Sequence, residues 1–522
     1  MEPFGLGMLN ATFIALALIM YALRHQSRRK FEARARGLPL PPRPKSRFLV
    51  GNLFDIVAKK PWHTFTEMRS RYGDIIYLEA LGNRIIVLNS LKAVHDLLEM
   101  RARIYSDRPT FTMIGELIGL NKSLPMLPYG PEFRKQRKLC HHGLNPAAVK
   151  KYHTVQITAV SSYVAGILAN PETFISELRL TAGRIVLSVT YGFPVDMDDT
   201  SYLEEAEATM AMIEKGTMMG AYYVDIFPAL KHLPNWLPFN PISKVASSGR
   251  SLLHSMINRP YQHVKRALED GTASASFVAD CLTQAESGPT KLSEDNEDSI
   301  RWAAGSMYGA GGESSFATVL TFIYAMALYP EVQKKVQDEI DRVIGHERLP
   351  TLDDKDQLPY VRCAIKETLR WRPALPMAIP RMTTQDDHYN GYFIPAGTII
   401  LPNVWAISID DVSGMPSAEF MPERFMNTSD TPDKAEDVID PSSYSFGFGR
   451  RLCPGKVLGE NNIFLFVTYL MATLHISRKK DTDGICVPLQ PDYTAGLVSF
   501  PTAFSVNFMP RNKERVSLLS RN

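Results

Sequence analysis

The ten residues Phe446-Gly447-Phe448-Gly449-Arg450-Arg451-Leu452-Cys453-Pro454-Gly455 constrain what this chain can build more than any other stretch. They set a thiol at a glycine-rich turn, directly before a run from Lys456 to Leu474 that reads as a helix. Glycines at 447, 449 and 455 let the backbone approach something flat and close. The partial positive charge of a helix N-terminus favours a thiolate over a thiol at Cys453. Arg451, two residues earlier, can reach an anionic group on the same ligand. The bland alternative is a turn with an inert, buried cysteine. A dinucleotide loop is excluded, because the third glycine is missing and no strong strand precedes it.

The rest of the chain says what surrounds this turn. Of 522 residues, 45% are hydrophobic and 22% charged, which excludes disordered, collagen-like and multi-span membrane classes. Without low-complexity linkers or repeats, one large unit carried by a short N-terminal device fits best. That device is the apolar run Phe4–Leu23, long enough at ~1.5 Å per helical residue to span a bilayer's hydrocarbon core. The basic cluster from Arg24 to Arg47 carries +8 and leaves −5 on the remainder. Positive charge gathered beside an apolar run indicates a membrane surface and argues against nucleic acid. Acidic Glu2 before the run and basic residues after it indicate an uncleaved signal anchor with the body in the cytosol. Five cysteines, odd in number and never spaced C-x-x-C, agree with a reducing compartment.

These patterns divide the chain into a transmembrane anchor (1–23), a basic and proline-rich linker (24–52), a main domain (53–510) and a polar tail (511–522). The class is mainly α with a minor β part. Ile75–Leu78 and Arg84–Leu88 read as strands around Leu81-Gly82-Asn83. Helices are expected over Asn296–Leu328, from Pro330 onward, over Pro359–Trp371 and over Lys456–Leu474. Further strands are expected near Tyr392–Ile394, Thr398–Leu401 and Ala503–Phe508. Little regular structure is expected from 410 to 445, and a loop that long needs a reason.

Three further groups of residues admit plain readings. Glu367 and Arg370 share a helix face, as a surface pair worth ~0.5 kcal/mol would. Gly311-Gly312 inside a long helix cost about 2 kcal/mol of helix propensity, which a packing notch would offset. Arg137 and Arg381 could be ordinary solvated bases.

The turn at 446–455 matches F-x-x-G-x-R-x-C-x-G, and the chain thereby resembles the cytochrome P-450 family. Glu367-x-x-Arg370, Pro422-Glu423-Arg424-Phe425 and Ala310-Gly311-Gly312-Glu313-Ser314-Ser315 fall where that family has its E-x-x-R, P-E-R-F and [AG]-G-x-[DE]-T-[TS] elements. The resemblance implies the cytochrome P-450 fold with a single N-terminal transmembrane helix. It implies haem b (iron protoporphyrin IX) held by Cys453 as the axial metal ligand, with Phe446 shielding the sulfur. Gly449 and Gly455 would shape the turn, and Arg451, Arg137 and Arg381 would bind the propionates. Glu367, Arg370 and Arg424 would form a buried structural network pinning 410–445. Glu313 and Ser314 would relay protons in an oxygen-binding groove. Ser314 stands where threonine is usual and lacks the β-methyl that restricts the rotamer. Phe133 stands where the family's W-x-x-x-R helix has tryptophan, so it can pack but offers no N–H.

The function implied is a membrane-anchored haem-thiolate monooxygenase inserting one oxygen atom from O2 into an apolar small molecule. NADPH would supply electrons through a separate NADPH–cytochrome P-450 reductase, docking near Arg450, with cytochrome b5 as a further donor. The implied location is the endoplasmic reticulum membrane, single-pass, with the catalytic domain on the cytosolic side. The run Thr383–Tyr392 and the ending Phe508-Met509-Pro510-Arg511 resemble fungal secondary-metabolism members. Met210, Met212, Met218, Met219, Tyr222 and Tyr223 fall where the family roofs its pocket, and flexible thioethers there suit a bulky apolar ligand such as a terpenoid. Two alternatives remain: a haem-thiolate isomerase or dehydratase acting on a peroxide, and a non-catalytic haem-binding protein.

Overall fold

The expected hairpin forms between β1 (Ile75–Ala80) and β2 (Asn83–Leu88). Ala80 pairs with Asn83, so the turn is Leu81-Gly82 alone, with φ of 49° and 87°. Two positive φ values match the turn to the twist of its strands. Short strands follow at β3 (Arg381–Met382), β4 (Asp387–Tyr389), β5 (Tyr392–Ile394) and β6 (Ile399–Pro402). One sheet runs β1-β2-β6-β3, with β2 and β6 parallel, while β4 and β5 pair separately. The last pair is β7 (Leu474–Arg478) with β8 (Val506–Pro510), slightly beyond the expected 503–508.

The computed structural model describes residues 26, 29, 31–48, 50–197, 199–218, 220–234, 240–287, 293–410, 414–426 and 438–521. The anchor read over 1–23 lies outside the described residues. Among those described, no single helix is long and apolar enough to cross a membrane.

Helices supply most of the body. Those that position the site are α1 (Pro131–Leu144), α2 (His153–Ala169), α3 (Phe174–Tyr191), α4 (Ser201–Thr217), α5 (Ile242–Glu269), α6 (Glu294–Leu328), α7 (Pro330–Ile344), α8 (Pro359–Trp371), α9 (Lys456–Thr473) and α10 (Lys513–Leu518). The central helix α6 starts where Ser293 Oγ accepts the Asn296 N–H at 3.3 Å, with Glu294, Asp295 and Glu297 in its first turn. Acidic residues suit the positive end of the helix dipole. From Ser315 to Ala327 every residue is buried, so this part is packed on all sides. The glycines of α6 make the expected notch. A Cβ on Gly311 would lie 2.9 Å from Val186, and one on Gly312 would lie 3.5 Å from the Gly183 backbone, both on α3. Close helix packing therefore offsets their propensity cost.

The proline-rich linker lies along the body. Phe393 N–H donates to the Pro39 carbonyl at 2.8 Å, and Tyr77 N–H to that of Pro42 at 2.9 Å. Arg34 pairs with Asp386, and Phe31 meets Phe393 edge-on at 5.3 Å. Prolines have carbonyls but no N–H, so at Pro39 and Pro42 the linker accepts from the sheet, while the Asn52 N–H donates to the Glu79 carbonyl at 2.7 Å.

The segment expected as a polar tail, 511–522, is instead docked through α10. Arg515, 2% exposed, pairs with Asp341 of α7 at 2.8 Å and donates to the Ala472 and Gly345 carbonyls. Arg511 meets the same aspartate at 2.7 Å. The polar composition hid the docking, because the partners lie some 170 residues upstream. Arg515→Met is expected to lower stability by roughly 3 kcal/mol in chemical denaturation, since it removes one partner of a buried charge.

Candidate active site

The turn before α9 is shaped by its glycines at two places. Gly449 has φ of +49°, and a Cβ there would fall 2.4 Å from the Leu98 carbonyl oxygen. Gly447 has φ of +83°, with the Arg451 carbonyl 3.3 Å from its would-be Cβ. Gly455 needs no such freedom, since its would-be Cβ meets only Cys453 Sγ, at 4.0 Å. The Cys453 N–H donates to the Phe446 carbonyl at 2.8 Å, which closes the loop. Phe446 is half-buried, with Lys456 Nζ 5.4 Å from its ring centre.

Cys453 is accessible, yet burial pushes its thiol up. Both hold if the sulfur opens onto space inside the body. The Gly455 N–H and the charges of Arg137 and Lys456 pull in the other direction without prevailing. Direct coordination to a metal ion would deprotonate the thiol outright.

Around this turn lie four arginines. Arg451 is buried and donates to the Ser106 carbonyl at 2.9 Å, Leu124 at 3.3 Å and Leu127 at 2.6 Å. Its guanidinium lies 3.9 Å over the ring of Phe133, which supplies a cation–π face in place of an N–H. Arg381, 3% exposed, gives one Nη to the Phe448 carbonyl at 2.6 Å, while its other Nη is buried without a partner. That burial argues against the solvated reading. Arg137 donates to the Leu452 carbonyl.

Arg108 completes the group, and the sequence reading missed it. It donates to the carbonyls of Pro125 at 2.7 Å, Ile379 at 2.9 Å and Pro380 at 2.5 Å. Among the described residues none of the four pairs with a carboxylate, although Asp107 lies near enough to favour the charge on Arg108 and Arg451. Burial pushes Arg381 down to about 9 and Arg451 to about 10, with Arg451 adding repulsion at Arg381 and Arg137 at Arg451. Guanidinium still holds its charge at neutral pH, so the cluster is positive charge that a dianionic ligand would relieve.

The network around Glu367 is buried, which rules out the surface-pair reading. Glu367 is 0% exposed and takes both Nε and Nη2 of Arg370 at 2.7 Å, with Arg424 Nε at 3.5 Å and the Met421 N–H at 2.8 Å. Arg370 and Arg424 pass the restraint on to the carbonyls of Met415, Pro416, Ser417 and Glu419. The irregular segment is thus held by side chains, with single 3₁₀ turns at Pro422–Phe425 and Pro441–Ser443.

On α6, Ala310 is exposed although its neighbours pack on other helices, and Ser314 lies one turn further on the same face. Among the described residues the Ser314 hydroxyl makes no hydrogen bond, whereas Ser315 Oγ bonds back to Gly311 at 3.4 Å. Glu313 points elsewhere, pairing with Arg179 of α3 at 3.2 Å. Its burial pushes the carboxyl up, against the pull of Arg179. Met210 Sδ reaches within 3.4 Å of a would-be Cβ on Gly309. Tyr223 and Met218 are 77% and 45% exposed. Met219 lies outside the described residues.

A protein-family comparison accounts for this arrangement. The family model for Cytochrome P450 matches residues 41–502, and the chain belongs to that family. Cytochrome P450 monooxygenase claR of Ampulloclitocybe clavipes is 39% identical over 92% of this chain and 88% of its own. Cytochrome P450 monooxygenase 105 of Postia placenta is 36% identical over 98% and 95%. COX2 of Coprinopsis cinerea, also a cytochrome P450 monooxygenase, is 36% identical over 92% and 90%. The protein is thus a cytochrome P450 monooxygenase, resembling fungal ones along most of its length.

The family implies haem, and the residues present fit it. Among the described residues no three His, Cys, Asp or Glu side chains converge on a metal position, so iron at Cys453 would have to arrive with its other ligands. Porphyrin supplies them, and its two propionates match the unpartnered Arg381 Nη and its arginine neighbours.

Proposed function

We propose that the chain is a membrane-anchored monooxygenase of secondary metabolism acting on a bulky apolar molecule, a terpenoid by preference. The observation that carries the reading is the exposed Cys453 beside an arginine cluster in which, among the described residues, no member pairs with a carboxylate and one Nη of Arg381 is buried without a partner. Cys453 would hold the iron, with Arg451, Arg381, Arg137 and Arg108 on the propionates and Phe446 beside the sulfur. Bound there, haem supplies dioxygen activation and transfer of one oxygen atom to the substrate. Ser314 presents a hydroxyl on the accessible face of α6, and Glu313, whose carboxyl burial pushes up, stands one residue before it. Together they favour monooxygenase chemistry over peroxide isomerisation, which needs no proton relay. The thioether of Met210 beside Gly309 supports an adaptable apolar pocket.

Anchoring through 1–23 in the endoplasmic reticulum membrane, with the body cytosolic, follows from the charge order. Exposed Phe48 (90%), Phe54 (61%) and Phe227 (51%) support it, because a would-be Cβ on Gly220 lies 3.4 Å from Val57 and so brings the two segments together. NADPH–cytochrome P-450 reductase is the electron donor, with cytochrome b5 as an accessory. Exposed Arg450, held at 2.9 Å by the Tyr129 hydroxyl, suits an acidic partner.

Coexpression with a reductase and feeding of candidate terpenoids tests the reading. The expected product is heavier by one oxygen atom and depends on NADPH. Turnover of organic peroxides without reductase, and no oxygenated product with it, would overturn it.

A further inference from the structure

A carboxylate on α4 stands unpartnered where three parts of the fold meet. Glu214 lies one turn beyond Met210 and shares its face of the helix. Met210 turns that face toward α6, with its Sδ 3.4 Å from a would-be Cβ on Gly309. Glu214 reaches the tip of a hairpin, across which Tyr493 pairs with Pro501 and the Thr494 N–H donates to the Phe500 carbonyl at 3.0 Å. A Cβ on Gly496 at the tip would overlap the Glu214 carboxyl, so glycine is what leaves the acid room. Two contacts fix the other strand of the hairpin. The Ser499 N–H donates to the Ala374 carbonyl at 2.8 Å, and Phe500 meets Phe316 of α6 edge-on at 5.2 Å. The tip residues Ala495, Gly496, Leu497 and Val498 are apolar and half-buried. Glu214 is half-buried as well, yet among the described residues its carboxylate takes no hydrogen bond and no ion pair.

We propose that Glu214 is a specificity-determining residue that accepts a hydrogen bond from a hydroxyl of the substrate, so that the enzyme acts on an apolar skeleton already carrying an alcohol. The proposal rests on the reading of a bulky apolar substrate given above and adds one polar group to it. An acceptor set against an apolar hairpin calls for a donor, and the chain supplies none. Burial pushes the carboxyl up, and Arg179 pulls the other way without pairing with it. A neutral donor suits that setting better than an ammonium group. It demands no full charge on the acid, since a protonated carboxyl still accepts through its carbonyl oxygen, and it is not repelled by Arg179. A skeleton assembled as a hydrocarbon gains its first hydroxyl in a step that inserts oxygen or adds water. A reaction of that class must therefore supply this substrate.

Calorimetric titration of the full-length holoenzyme tests this with two terpenoid skeletons, each as hydrocarbon, alcohol and amine. The probes are bornane, borneol and bornylamine, and cedrane, cedrol and the matching amine. For at least one skeleton the wild type is expected to bind the alcohol on the order of tenfold tighter than the hydrocarbon. Glu214→Leu should abolish that preference. Glu214→Gln should keep most of it, because the amide oxygen still accepts. Gly496→Ala should weaken it with the acid still present, by displacing the carboxyl from the tip. Equal affinity of the wild type for hydrocarbon and alcohol in both series would overturn the proposal and leave the apolar reading standing. A preference that survives in Glu214→Leu would overturn it too, and amines bound tighter than alcohols would replace the hydroxyl with a cation. If neither hydrocarbons nor alcohols bind, the apolar reading falls and the proposal with it.

Discussion

Cys453→Ser is expected to abolish the thiolate signature of the reduced carbon monoxide complex and to reduce oxygenation to background. The hydroxyl is smaller and far less acidic than a thiol, so it cannot replace a soft anionic ligand. The expected loss is larger than for any other single change, because nothing else in the turn offers a sulfur. Cys140→Ser is the matched control. Cys140 is buried on α1 and stands outside the turn at 446–455. The control should keep the signature. Spectra of the two variants beside the wild type decide the matter, and an unchanged thiolate spectrum in Cys453→Ser would show the wrong ligand.

Glu367→Ala is expected to cost roughly 3–5 kcal/mol, since it leaves the buried Arg370 guanidinium without its carboxylate and removes one contact of Arg424. Arg370 and Arg424 are 5% exposed each and cannot turn to water. Their carbonyl contacts with 415–419 should loosen together, and with them the approach to the turn at 446–455. Haem content and thermal stability should therefore fall in parallel. Normal values for both would demote the network to a dispensable contact.

The helix over Pro359–Trp371 was legible to the residue because proline opens it and Pro373 follows it. The central helix gained only its acidic first turn, Glu294 and Asp295. The turn around Cys453 was legible as a motif, but the burial that pushes its thiol up was not. A string of residues shows the nearby helix end and conceals the surrounding protein that removes water. Arg108 and Arg179 were missed for a related reason. Arg108 finds its acceptors at Ile379 and Pro380, 271 and 272 positions away, and no local pattern marks such a partner. For Arg381, Pro380 gave no hint of burial, and the β3–β6 pairing that encloses it joins segments across a hairpin.

The strap at the C-terminus has a consequence for biosynthesis. Chains fold as they are made, beginning at the N-terminus, and Arg511 and Arg515 leave the ribosome some 170 residues after the α7 partners that they hold. Until they arrive, Asp341 on α7 has neither guanidinium partner, and the Gly345 and Ala472 carbonyls lack their donor. The body thus closes only after this late segment has emerged. A message cut short before codon 511 would yield a chain with the turn around Cys453 present and its latch missing. Such a product would be marked for quality control by the instability of α7, although its active site was fully encoded.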